Sequence, residues 1–124
     1  MSFRRRFLGK AIEIHQQLGP GLLESVYQHV LAYELRKLGL EVTEEHPIPV
    51  VWDNQKLEVG FRADLLVENQ VIVELKSIEA VTDVHKKILL TYLKIADKRL
   101  GLIINFREEL LKNGICRSVN KLNE

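Results

Sequence analysis

Asp64 and Glu74 stand ten positions apart, each inside a strongly apolar run, and Lys76 follows within the same stretch, RADLLVENQVIVELKS from Arg62 to Ser77. A strand that is otherwise Val71, Ile72, Val73 and Leu75 has little reason to hold full charges unless water, a cation or a chemical task compensates them. Mg²⁺ takes hard oxygen ligands, typically one or two carboxylates with substrate phosphate oxygens and several waters. A cation so held lowers the pKa of a coordinated water and neutralises charge building on a phosphate. An ammonium two residues from Glu74 would orient that water or stabilise the transition state.

The elements that must position these groups follow from alternation, since successive side chains of a strand point to opposite faces. Residues 56–67 and 71–76 read as two strands joined by a turn at Glu68, Asn69 and Gln70. Paired as a hairpin, they set Val67 across from Val71, Leu65 from Val73 and Ala63 from Leu75, a wholly apolar face to which Phe61 also belongs. The opposite face then carries Arg62, Asp64 and Leu66 with Ile72, Glu74 and Lys76. Asp64 opposes Glu74 there, and Arg62 opposes Lys76. A slip of one residue would put Asp64 against Leu75, so hydrophobic matching itself selects the register that juxtaposes the two acids. Like charges at ~5 Å across a ladder repel, which leaves solvent or a cation as compensation. Leu66 and Ile72 on the same face imply that it is partly covered.

Around this hairpin the chain reads as a helix at 5–17, a bend at LGPG, and a longer helix from Pro20 to Leu38 that Gly39 stops. An edge or irregular strand with Pro47 and Pro49 covers 41–52. The turn at 53–55 leads into the second strand, with a kink expected at Gly60. After the third strand, Thr82 or Asp83 caps a helix near 83–97, followed by the apolar strand RLGLIINF and a short strand at ICRSV. The order helix, helix, three strands, helix, strand, strand is that of an α/β fold with a central mixed sheet flanked by helices.

A chain of 124 residues with 46% hydrophobic and 28% charged residues fits one domain, 1–124, of ordinary composition. The net charge of +1 provides no global field for nucleic acid, so such binding must use local clusters: Arg4, Arg5 and Arg6; Lys86 and Lys87; Lys94, Lys98 and Arg99. No apolar run approaches the ~20 residues of a membrane span. Lys10 and Glu13 break any signal-like segment. The single Cys116 cannot form an internal disulfide, which fits a reducing cytoplasm. Cys116 and the four histidines lack zinc spacing.

On a helical wheel of residues 20–38, the apolar arc holds Leu23, Val26, Tyr27, Val30, Leu31, Leu35 and Leu38, while Ser25, Gln28, His29 and Arg36 form the polar side. Glu24 falls at the arc's edge between Leu31 and Leu35, where it can look at the sheet or simply favour the helix N-terminus. Glu34 also interrupts the arc but lies about 15 Å further along the axis, so it pairs with a basic residue there and the two glutamates cannot share a site.

Asp64, then Glu74-Leu75-Lys76, an upstream helical acid and a helix after the third strand together resemble the PD-(D/E)XK nuclease superfamily. More narrowly, the chain resembles the GxxExxY family, through Gly21, Glu24 and Tyr27 in LGPGLLESVY and through YELRKLGL, FRADLLVENQVIVELKS, LLTYLK and RLGLIINF. The resemblance covers residues 8–120. It implies an αβββαβ core and Mg²⁺-dependent hydrolysis of phosphodiesters, with Mn²⁺ as a substitute. It further implies Asp64 and Glu74 as metal ligands, Lys76 beside the attacking water and Glu24 as an additional acid; the Leu75 carbonyl can supply another metal ligand. Where the family often has Gln-x-x-x-Tyr on the helix after the third strand, this chain keeps Tyr92 but has Ile88 in place of Gln. His85 is either a cap or a further polar contact.

These readings make a metal-dependent nuclease acting on DNA the leading expectation, with Arg62, Lys86, Lys87 and Tyr92 as substrate contacts. A catalytically weak or inactive module on the same fold, binding nucleic acid through Lys86, Lys87, Lys94 and the arginine-rich start, is the alternative. A third reading is an interaction protein, such as a homodimer built on the Trp52 edge or the final strand.

Overall fold

The computed structural model describes residues 3–120; residues 1, 2 and 121–124 of the expected domain lie outside them. Helices α1 (Phe3–Leu18) and α2 (Glu24–Lys37) precede strands β1 (Val42–Trp52), β2 (Gln55–Val67) and β3 (Val71–Lys76). Helix α3 (Asp83–Ala96) then crosses over to β4 (Leu100–Asn105), and a short 3₁₀ turn leads into β5 (Ile115–Val119). The five strands lie in sequence order, antiparallel except for the β3–β4 pair. A parallel pair needs a crossover connection, and α3 is it. The expected α/β class and element order are both present.

Helices cover the sheet on its two faces, each over its own core. Phe7, Ala11, Tyr27, Leu31 and Leu35 of α1 and α2 pack on Leu65, Val67, Val73, Leu75, Leu102 and Ile104. Leu89 and Leu93 of α3 pack on Ile48, Ala63, Leu66, Ile72 and Ile103. Thr82 caps α3, its hydroxyl accepting from the His85 N–H while the His85 ring accepts from the Thr82 N–H. His85 is therefore the reciprocal half of a capping box.

Three expectations change. Helix α2 begins at Glu24 instead of Pro20, because Gly19 and Gly21 both have positive φ (79° and 86°) and a helix cannot pass through the left-handed region. The packed face of α2 is Tyr27, Gln28, Leu31, Ala32 and Leu35, while Val26 on the helix and Leu23 before it are exposed. The third change concerns β2. Its register with β3 is the expected one for Leu65–Val73 and Val67–Val71, but the ladder ends there. Phe61 and Ala63 pack with the α3-side core, whereas Leu65 and Leu75 pack on the other. The single apolar face from Phe61 to Val67 is thus broken at Asp64. Opposite that position on β1, between the partners of Leu65 and Ala63, Glu45 has φ 52°. This local irregularity, and the stronger twist of a ribbon no longer held by β3, reverses the facing of the residues beyond. The kink expected near Gly60 is also present as a register shift between Pro49 and Val51. A Cβ on Gly60 would approach the Ile48 carbonyl oxygen to 2.6 Å.

Candidate active site

The site lies where β2 and β3 part. At the level of Asp64 and Glu74 the two strands exchange side-chain bonds: the Asp64 N–H donates to Glu74 Oε2 (3.2 Å) and the Leu75 N–H donates to Asp64 Oδ2 (2.8 Å). Each carboxylate reaches across to its neighbour's backbone, so the juxtaposition expected from the register is real although the ladder is not continuous. The Ala63–Leu75 and Arg62–Lys76 pairs do not form part of it. Among the described residues, Asp64 Oδ1 and Glu74 Oε1 have no hydrogen-bond partner.

Burial makes this arrangement costly. Glu74 is 9% exposed, and burial, with the charge of Asp64 second, pushes its carboxyl up to about 7 against the Lys76 charge and the Asp64 N–H. Burial also raises the Asp64 carboxyl, opposed by the Leu75 N–H and Lys76 and reinforced by Glu24 and Glu45. Lys76 is half-buried and makes no ion pair among the described residues.

Glu24 reaches the same place from the opposite layer. Its Oε2 accepts from the Ser77 N–H at 3.3 Å, just beyond Lys76. What aims it there is the bend: the Tyr27 hydroxyl donates to the Gly19 carbonyl (2.6 Å) and accepts from the Leu22 N–H (3.0 Å). The Tyr27 ring stacks on Phe106 at 4.1 Å, and the Phe106 N–H donates to the Lys76 carbonyl. Gly21, Glu24 and Tyr27 are therefore one device, a left-handed turn pinned to the carboxyl end of β3.

Tyr92 arrives from α3. It packs against Phe61 at 4.7 Å, and burial followed by the charges of Glu74 and Asp64 raises its hydroxyl pKa. Ile88 lies one turn earlier and is 44% exposed. Arg62 is paired with Glu45 at 3.1 Å. Lys86 and Lys87 are exposed at the start of α3, with no bond to the carboxylates among the described residues. Glu34 pairs with Lys10 and Lys37, as its distance from Glu24 requires.

Two polar groups escaped the sequence reading. Asn105 is fully buried and accepts from the Ile78 and Arg107 N–H groups while donating to the Ile78 carbonyl, which fixes the segment leaving β3. Its signal was a lone amide ending an apolar strand. Gln28, assigned to the polar side of its helix, is buried and donates to Glu44 and Glu45.

Among the described residues no three His, Cys, Asp or Glu side chains converge as a metal-holding group. The donor set is smaller: two adjacent carboxylates, each with one oxygen tied to backbone and one open. That set fits a hard divalent cation, which requires only one or two protein carboxylates and would relieve the repulsion between Asp64 and Glu74.

No curated protein and no solved structure matches the chain. A family model described as the PD-(D/E)XK nuclease superfamily matches residues 2–118. With that match spanning nearly its whole length, the chain belongs to the PD-(D/E)XK nuclease superfamily.

Proposed function

We propose that the protein is a divalent-metal-dependent nuclease of the GxxExxY type that hydrolyses phosphodiester bonds in DNA. The observation that carries this reading is the reciprocal bonding of Asp64 and Glu74 across the parting of β2 and β3, beside Lys76. Asp64, Glu74 and the Leu75 carbonyl would hold Mg²⁺ or Mn²⁺. The bound cation would acidify a water and neutralise phosphate charge. Lys76 orients the attacking water, and Tyr92 and Arg62 contact the substrate. Glu24 holds the Ser77 N–H and so sets the exit of β3 from the site. Lys86 and Lys87 lie on the same helix as Tyr92 and supply phosphate contacts. We further assign the protein to a reducing compartment such as the cytoplasm, on the strength of a lone half-buried Cys116. No helix among the described residues is long and apolar enough to cross a membrane.

Incubating purified protein with duplex and single-stranded DNA in Mg²⁺ or Mn²⁺ tests the assignment. Asp64→Ala and Glu74→Ala are each expected to lower cleavage by roughly 10²-fold or more. Cleavage that persists in both variants would remove this site from the account.

The second reading, a non-catalytic nucleic-acid-binding module, draws on the exposed lysines of α3. Binding that is steeply salt-dependent, indifferent to Asp64→Ala and unaccompanied by cleavage would favour it.

A further inference from the structure

Lys76 stands on the least supported stretch of the site. β3 pairs with β2 only through Val71, Ile72 and Val73, so from Glu74 onward its backbone ladder lies on one side alone, against β4. Lys76 is the last residue of β3, and its parallel partner is Asn105, the last residue of β4. A lysine carries its charge on a flexible four-carbon stem. Where the ammonium lies relative to Asp64 and Glu74 therefore depends on how firmly the Lys76 backbone is held, and element ends fray unless something replaces the missing ladder.

Asn105 is that replacement. Its side chain is fully buried and meets both backbone groups of Ile78: Oδ1 accepts from the Ile78 N–H at 3.1 Å and Nδ2 donates to the Ile78 carbonyl at 2.9 Å. A primary amide presents an acceptor and a donor side by side, so the pairing of the two strands continues one step further with a side chain in the role of backbone. Oδ1 also accepts from the Arg107 N–H at 3.2 Å, an Asx turn that directs the chain away from β4. The Lys76 carbonyl accepts from the Phe106 N–H, and the Ser77 N–H donates to Glu24 Oε2. Lys76, Ser77 and Ile78 are thus held by three different partners. Gly114 in the 3₁₀ turn backs Asn105 closely: a Cβ there would come within 2.5 Å of the Asn105 carbonyl oxygen and 3.2 Å of its Cβ.

We infer that Asn105 is a positioning residue of the reaction. Through Ile78 it fixes the backbone that carries Lys76, and so sets where the Lys76 ammonium lies relative to the acidic pair. The inference rests on the nuclease reading of this site.

Asn105→Ser, too short to reach both Ile78 groups, tests it. In the metal-free protein, amide hydrogen exchange at Ser77 should quicken by roughly tenfold or more although Glu24, its own partner, is untouched, while Val73, paired on both sides, keeps its protection. In DNA cleavage with Mn²⁺, kcat should fall by roughly tenfold or more with KM within about twofold of wild type, since misplacing a catalytic group by about 1 Å can cost more than that. A purely structural role is separated by a cycle with Lys76→Ala: in that background Asn105→Ser should lower kcat by less than about twofold further, because the group it positions is gone. Gly114→Ala, which keeps the amide but crowds the Asn105 carbonyl, carries the same readouts if Asn105→Ser does not fold. Unchanged Ser77 exchange, a wild-type kcat, or a loss in kcat of equal size with and without Lys76 would overturn the assignment. Wild-type protein that cleaves no DNA would instead overturn the nuclease reading, and this inference with it.

Discussion

Glu74 shows most directly that this fold carries its site at the expense of stability. Its carboxyl is neutral below pH 4.5 whether the chain is folded or not. Between 4.5 and about 7 the unfolded chain has released a proton that the folded protein keeps, so without divalent metal stability falls as pH rises through that window. Above it the loss is constant, about 3 kcal/mol for this group. Glu74→Gln removes the charge and keeps the shape. Urea denaturation of the metal-free variant should therefore show a shallower pH dependence and greater stability at pH 8 than wild type. An unchanged or steeper slope would show that Glu74 does not titrate in this range. That the two acids oppose each other was legible in the sequence, because apolar residues on both strands fix the register. That each carboxylate would bond the other strand's backbone was not legible, since alternation specifies faces and says nothing of where a ladder stops.

Among the elements, the N-terminal end of α2 is the one whose sequence signature acquired a physical meaning only in three dimensions. Read as helix, LGPGLLESVY offered Pro20 for the first turn. The left-handed backbone at Gly19 and Gly21 instead makes it a bend, and the Tyr27 hydroxyl, bonding Gly19 and Leu22, holds that bend closed. Tyr27→Phe preserves the stack on Phe106 while leaving one donor and one acceptor without the hydroxyl. It is expected to lower stability by roughly 1–2 kcal/mol, measured by chemical denaturation, with an accompanying loss of activity as Glu24 loosens from Ser77. Wild-type stability in this variant would mean the bend is held by other contacts. The helical wheel failed in the same element: Leu23 precedes the helix, and the packed face is centred on Tyr27, Leu31 and Leu35 with Gln28 and Ala32 beside them, so Val26 is exposed and Gln28 buried. Tertiary context reversed all three. By contrast, the cap at Thr82, the turn at 68–70 and the kink near Gly60 rest on local chemistry, and each is found where the sequence put it.

At the scale of the whole molecule, the sheet separates two helical layers and the site occupies the seam between them. Glu24 comes from the α1–α2 layer and Tyr92 from α3, with the acidic pair and Lys76 on the strands between. The same partition separates the basic clusters: the arginines of α1 belong to one layer and Lys86 and Lys87 to the other. A single stretch of nucleic acid reaching the site along α3 would therefore meet the lysines and not Arg4, Arg5 and Arg6. Sequence order alone could not reveal this, because it gives the elements without their sides. The proposed chemistry depends on Asp64 and Glu74 acting together on a divalent cation, and calorimetric titration of the metal-free protein with Mn²⁺ is its test. Wild-type protein should show one saturable site, accompanied by proton release near neutral pH, that is lost in both Asp64→Ala and Glu74→Ala. Binding that survives both substitutions, or a wild-type protein that takes up no Mn²⁺ with or without DNA, would contradict it.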